Sequence, residues 1–262
     1  MIKDYHIHPQ IIKDESLFDA FAEEALKKGV QEVCITDHMP LIGSMASDRI
    51  PFGKVEEYCE KAKGIADKYQ GKLSVKVGIE IDFHPSILDQ VEEVLKVGGF
   101  DYILGSSHLH AIPGLDIFRR CQTRNAYAEA MFQNTKLAAE SGYFTAIAHP
   151  DMYQWIFSRP DRFPLEDDGF CEEKHRELID SMLDAIKHHD LRLEINPHYA
   201  VAQKSMDKVY PSVTMTERAL QKGIRFSFGS DAHAPQDMGA MLLELRQHSV
   251  YKKALATWEE TQ

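Results

Sequence analysis

Short apolar runs with strand character recur along the chain, separated by longer stretches in which apolar residues return at helical spacing. The strand-like runs are 2–8, 32–36, 73–81, 102–105, 144–148, 191–195 and 224–228. The third is the clearest, with Val75, Val77, Ile79 and Ile81 on alternate positions, the period of a pleated strand. Between the runs, helices are predicted over roughly 16–28, 54–69, 86–97, 125–141, 170–189, 214–222 and 236–247. The first places Leu17, Phe18, Phe21, Ala25 and Leu26 on one face, with Ser16 as its expected N-cap and Gly29 as its stop. Thr214 and Glu217 have the spacing of a capping box.

Unbroken alternation of strand and helix argues for parallel strands joined by helical crossovers. No Ser/Gly-rich or Pro-rich linker and no sequence repeat interrupts it, so residues 1–262 are expected to form a single domain. The polar residues choose between an open sheet and a closed barrel. His6 and His8 end the first strand, Asp37 and His38 the second, and Glu80 and Asp82 the third. His108 and His110 follow the fourth strand and His149 and Asp151 the fifth; Glu194 and Asn196 end the sixth; Asp231 and His233 follow the seventh. Every strand delivers metal-type ligands at its C-terminal end. In a closed barrel those ends converge on one mouth, whereas an open sheet would scatter them along an edge. The expected fold is therefore a TIM-like α/β barrel of seven strands.

Composition narrows the function. The chain has 262 residues, 44% hydrophobic and 27% charged, enough for a sizeable core. Thirty Lys and Arg against 41 Asp and Glu give a net charge of −11, with no basic run. Such a chain has no overall attraction to nucleic-acid phosphates or anionic lipid. The first residues carry no apolar signal segment, and no stretch approaches the ~20 apolar residues that span a bilayer. Cys34, Cys59, Cys121 and Cys171 are widely spaced, as in reduced thiols of a cytoplasmic protein.

Thirteen histidines in so acidic a chain need a reason. His6-Ile7-His8 puts two imidazoles on one strand face, a spacing that suits two ligands of one cation. Glu80-Ile81-Asp82, His108-Leu109-His110 and Asp231-Ala232-His233 repeat it. A single such pair is weak evidence, and hydrogen-bonded histidines at a polar barrel mouth are the competing explanation. Pairs at four strand ends together favour metal. Imidazole and carboxylate without thiolate suit Zn, Mn or Fe, and the number of ligands exceeds what one ion takes. Two or three divalent ions are expected, with at least one bridging carboxylate.

The ordered motifs H-x-H, T-D-H, a Glu after a strand, S-x-H, A-H-P-D and S-D-A-H resemble those of the polymerase-and-histidinol-phosphatase (PHP) family. The flanks Ile35–Pro40, Gly78–Phe83, Asp101–His108, Leu193–Asn196 and Gly229–His233 are most similar to its stand-alone histidinol-phosphate phosphatases. The resemblance spans nearly the whole chain and implies a distorted seven-stranded barrel with a trinuclear site. By the same resemblance, His6, His8, Glu80 and Asp231 hold a first metal. Glu80, His108 and His149 hold a second, and His38 and His233 belong to a third. Where the family places a further histidine, this chain reads Pro9-Gln10-Ile11-Ile12-Lys13-Asp14-Glu15, leaving Asp14 or Glu15, with Asp14 preferred, as an oxygen ligand.

The implied activity is metal-dependent hydrolysis of L-histidinol phosphate to L-histidinol and phosphate, a step of histidine biosynthesis. Attack would come from a metal-bound hydroxide. Asp37 or His233 is the candidate proton donor to the leaving group; Asp37, Asp82, Asp151 and Asn196 also suit the orienting of histidines. Arg119 and Arg159, on loops at the mouth, are candidates for phosphate, as Arg120 and Arg162 are. His110 and His198 are candidates for substrate contact, and Tyr153, Trp155 and Phe157 crowd one mouth loop. The partner expected is a small phosphorylated substrate, with neither nucleic acid nor membrane; no oligomeric state is read from the sequence. The alternatives are another small phosphate ester or nucleotide and, further off, an amidohydrolase-like C–N hydrolase. The last is disfavoured because Glu80 stands where that family uses a carbamylated lysine.

Overall fold

In the computed structural model, which describes residues 2–259, seven parallel strands follow one another in chain order: β1 (Lys3–Ile7), β2 (Glu32–Ile35), β3 (Ser74–Asp82), β4 (Tyr102–Ser106), β5 (Ala146–Ile147), β6 (Arg192–Ile195) and β7 (Arg225–Phe228). The intervening helices are α1 (Leu17–Lys27), α2 (Val55–Tyr69), α3 (Leu88–Val97), α4 (Ile117–Arg120), α5 (Arg124–Glu140), α6 (Tyr153–Phe157), α7 (Arg176–His188), α8 (His198–Gln203), α9 (Val213–Gln221), α10 (Leu242–Gln247) and α11 (Ser249–Glu259). Each strand is hydrogen-bonded to the next in parallel register, from Lys3 opposite Glu32 round to Ile195 opposite Phe228.

The barrel closes irregularly. The segment after β7, rather than β7 itself, bonds to the end of β1: the Asp231 N–H donates to the His6 carbonyl (2.7 Å) and the His8 N–H to the Ala232 carbonyl (2.9 Å). The buried Asp4 carboxylate reinforces this seam by accepting the N–H groups of Ser230 (2.8 Å) and Gly239 (2.9 Å). Burial pushes the Asp4 carboxyl up to about 6, against the lowering effect of those bonds.

Inside the barrel Cys34, Tyr102, Leu104, Ala146 and Ala148 pack together with Tyr5. The Tyr102 hydroxyl crosses from β4 to donate to Ser227 Oγ on β7 (2.9 Å). Trp258 of α11 meets Tyr5 edge-on at 4.7 Å at the strand N-terminal end, opposite the histidines. The larger core lies between strands and helices, where α1 contributes Phe18, Phe21, Ala22 and Ala25.

Helix ends differ from the sequence expectation where local chemistry competes. Ser16 precedes α1 with helical rather than extended dihedrals and makes no side-chain cap, while the Asp14 carboxylate accepts the Ser16 N–H at 2.9 Å. The cap of α9 is Ser212, whose hydroxyl accepts the Met215 N–H at 3.1 Å, so the helix starts before the expected Thr214–Glu217 box. The helix expected over 236–247 is confined to α10 because Met241 adopts a left-handed φ of 57°, and α11 follows it unforeseen. The 170–189 segment begins as a 3-10 turn, Glu172–His175, before α7.

Candidate metal centre

Strands β1, β3 and β6, with the segments after β1, β2, β4, β5 and β7, deliver their polar side chains to one buried cluster centred on Glu80. Its Oε2 lies 2.6 Å from His38 Nδ1 and 3.6 Å from the Nε2 atoms of both His6 and His8. Its Oε1 lies 3.2 Å from His149 Nε2 and 3.7 Å from His108 Nε2. Asp231 Oδ1 faces the same rings, 3.1 Å from His8 Nε2 and 3.7 Å from His6 Nε2. Burial alone would raise the Glu80 carboxyl, but the imidazoles of His38, His108 and His6 outweigh it and hold it well below the usual range. Asp231 is likewise held low against burial by His6 and His198.

A second layer of bonds fixes which ring nitrogen faces inward. A carboxylate only accepts, so Glu194 at 2.6 Å places a proton of His6 on Nδ1 and turns Nε2 toward Glu80 and Asp231. Asp82 does the same for His108, at 2.7 Å from Nδ1, and is itself paired with the Arg49 guanidinium. His198 and His233 both donate from Nδ1 to the Asp231 carbonyl, at 2.9 and 3.0 Å. Asp231 makes this turn with a positive φ of 54°. Asn196 donates to Glu194 Oε2 (3.1 Å) and Asp231 Oδ2 (3.2 Å), tying β6 to the segment after β7.

Gly229 makes the approach possible. A Cβ there would lie 2.2 Å from Glu194 Oε1 and 2.3 Å from His6 Cβ. No other residue leaves room for the His6–Glu194 contact.

The donor set fits divalent cations. His6 Nε2, both ring nitrogens of His8, His38 Nδ1 and Glu80 Oε2 are buried with no hydrogen-bond partner. Unsatisfied buried polar atoms are rare and unfavourable, and here imidazole nitrogens and carboxylate oxygens of the ligating types are gathered together. The triplets His6–His8–Glu80, His38–Glu80–His108, His6–His149–Asp231 and His8–His38–His233 each have ligand atoms within 4.8 Å of one another. His198, Asp231 and His233 form one more such group.

Asp14 and Glu15 are not brought to this cluster. Asp14 is exposed and bound to the start of α1, and Glu15 reaches toward Lys61 at 3.7 Å, so in this geometry neither supplies the expected oxygen ligand. Asp37 is buried, and its two oxygens accept the N–H groups of Gln10 (2.9 Å) and Ile11 (3.0 Å). It anchors the loop after His8 and has no cavity face.

A cavity of about 430 Å³ opens over the cluster, lined by His38, His108, Asp231 and His233 on the metal side. His110, His198, Met152, Trp155, Arg162 and Tyr210 form further walls, and the loop between β2 and α2 supplies Ser44, Ala46, Asp48 and Arg49. His110 packs against Trp155 (5.5 Å) and Phe163 (5.6 Å), and burial pushes its imidazole down to about 3, so it is neutral. Tyr153 and Phe157 pack with Phe170 instead and leave the wall to Trp155. Arg119 is exposed on α4, and Arg159 lies 4.2 Å over the Trp155 ring; neither lines the cavity. The arginines that do are Arg162 and Arg49. Arg49 was not legible beforehand, since nothing in the loop after His38 announces that its guanidinium folds back onto Asp82.

The sequence model of the PHP domain matches residues 4–198. The chain belongs to the PHP family. Its PHP fold is shared with a histidinol phosphate phosphatase from Lactococcus lactis, solved with zinc, L-histidinol and phosphate. That structure matches with a TM-score of 0.74 at 19% identity, over 97% of this chain and 93% of the other. A relative from Deinococcus radiodurans named probable histidinol-phosphatase is 30% identical over 226 residues, 84% of this chain and 81% of its own. The histidinol-phosphatase of Bacillus subtilis is 27% identical over 90% of this chain and 95% of its own.

Proposed function

We propose that this PHP-family chain is a metal-dependent phosphomonoesterase that hydrolyses L-histidinol phosphate to L-histidinol and phosphate. The observation that carries the reading is the ring of unpartnered imidazole and carboxylate atoms around Glu80, opening into a cavity lined by Arg162 and Arg49. Relatives named histidinol-phosphatase, aligned over most of their length, support the substrate.

In this reading His6, His8, Glu80 and Asp231 hold one cation and Glu80, His108 and His149 a second, while His38 and His233, beside His8, supply a third position. Zinc, manganese or iron fits these donors. When bound, such cations would supply positive charge for the phosphoryl oxygens and would lower the pKa of a coordinated water. The protein's own groups do the rest. Glu194 and Asp82 fix the tautomers of His6 and His108. Arg162 offers the phosphate a planar fork. Of the two groups considered as proton donor to the leaving alkoxide, Asp37 does not face the cavity, and His233, which does, has its Nδ1 proton on the Asp231 carbonyl and its other nitrogen assigned to a cation, so neither is kept in that role. Trp155, His110 and His198 line the space for the rest of a small substrate.

We take residues 1–262 as one domain, because β7 and α11 lie beyond the family match and complete the same barrel. Among the described residues no helix is long and apolar enough to cross a membrane. The four cysteines are free thiols, in keeping with a cytoplasmic setting. Steady-state rates on a panel of phosphate monoesters, with metal analysis of the same sample, test the proposal. Histidinol phosphate is expected to give the highest kcat/KM. A nucleotide or sugar phosphate preferred by about tenfold, a difference of about 1.4 kcal/mol in transition-state binding, would overturn the substrate and leave the phosphatase.

A further inference from the structure

The cavity over the metal centre is lined by two carboxylates, Asp48 and Asp231. Asp231 is committed, with Oδ1 against His8 and Oδ2 accepting from Asn196. Asp48 is different. It is half-buried on the β2–α2 loop, and among the described residues it has no hydrogen bond or ion pair. Its neighbour Arg49 is already paired with Asp82. A carboxylate without a direct partner, sensed by the Arg49 guanidinium beside it, lowers the attraction of such a cavity for a phosphate dianion. That effect becomes attraction only when the substrate carries a cation of its own at some distance from the phosphate.

We infer that Asp48 is a specificity-determining residue that receives the ammonium group of an amino-bearing phosphate monoester. The inference rests on the phosphatase reading above and adds the group that selects among phosphate esters. The loop that carries Asp48 is tied to His38 of the cluster, with the Ile50 N–H donating to the His38 carbonyl at 2.9 Å, so an ammonium a few bonds from a phosphate held at the cluster would come within reach of that wall. The flat Trp155–His110 surface is left for the remaining apolar or heteroaromatic part. A charge-assisted hydrogen bond in a partly desolvated cavity is strong enough to discriminate between amino and des-amino substrates.

The test compares kcat/KM for histidinol phosphate and for its des-amino analogue, in the wild-type protein and in Asp48→Asn and Asp48→Ala, with metal content measured in each. The wild type is expected to prefer the amino substrate by about thirtyfold, of the order a hydrogen bond to a charged group provides. Both variants are expected to bring that ratio close to unity, chiefly through KM, with unchanged metal content. A ratio unaltered in the variants, or a wild type indifferent to the amino group, overturns the inference while the phosphatase reading stands on its rates. Failure to hydrolyse histidinol phosphate, with another amino-bearing phosphate ester taking its place and losing its advantage in both variants, would instead overturn the substrate and support Asp48.

Discussion

Glu194 and His6, 188 positions apart in the chain, meet at 2.6 Å, carboxylate oxygen to imidazole Nδ1. The bond places a ring proton on His6 Nδ1 and turns Nε2 toward Glu80 and Asp231, and the missing side chain of Gly229 makes room for it. Glu194→Gln keeps the shape and removes the charge that raises ligand basicity. It is expected to weaken metal binding by about 10- to 100-fold, the usual effect of losing an orienting partner. Competition with a chelator of known affinity measures this; an unchanged affinity would show that His6 is held by other means.

Glu80 lies 3.2–3.7 Å from the ring nitrogens of His6, His8, His108 and His149, the imidazoles assigned to the first two proposed cations. Glu80→Ala is expected to lower bound metal by more than one equivalent and to abolish turnover, with the circular-dichroism spectrum intact. Full metal content in the variant would remove Glu80 from the bridging position.

Arg49 lies against Asp82, whose side chain is 1% exposed. The pair, with His108, holds the Asp82 carboxyl far below its usual range against the opposing effect of burial. Arg49→Leu leaves a buried anion without its partner, expected to destabilise the fold by about 3–5 kcal/mol. Asp82→Leu in the same chain is expected to recover part of the loss. Urea unfolding of the two single variants and the double variant, after chelation, reads the coupling. Additive losses would mean that the contact contributes nothing.

Asp151 is buried, and burial together with the nearby Glu172 pushes its carboxyl up to about 8. A folded-state value above the unfolded one, about 3.9, means that the native protein keeps a proton the unfolded chain releases. The contribution to stability is complete below about pH 4 and is lost as pH rises to about 8. For one proton the slope is about 1.4 kcal/mol per pH unit. Asp151→Asn is expected to flatten the fall in stability by that slope between about pH 5 and about pH 7. Denaturant titrations of chelated protein across that window check it, and parallel curves for variant and wild type would refute it.

The sequence by itself determined the architecture and pointed to most of the side chains that the fold gathers around Glu80. Alternating Val75, Val77, Ile79 and Ile81 mark β3 because side chains on a strand repeat every two residues, and seven such runs separated by helical periods admit few topologies. His6 and His8, or Asp231 and His233, announce themselves because ligand pairs at a strand end are local in the chain. Tertiary structure alone decided what depends on distant partners. Asp37 read as chemistry, yet its oxygens are taken by the backbone at Gln10 and Ile11. Asp14 read as a ligand, yet it binds the nearest free N–H, that of Ser16. Glu194 as the orienter of His6, Arg49 as the counter-ion of Asp82 and Asp48 as an unpaired wall of the cavity lie on segments far apart in sequence. Hydrogen bonds and ion pairs form between atoms within about 3–4 Å, and which side chains come that close is set by barrel closure and loop path, not by spacing along the chain.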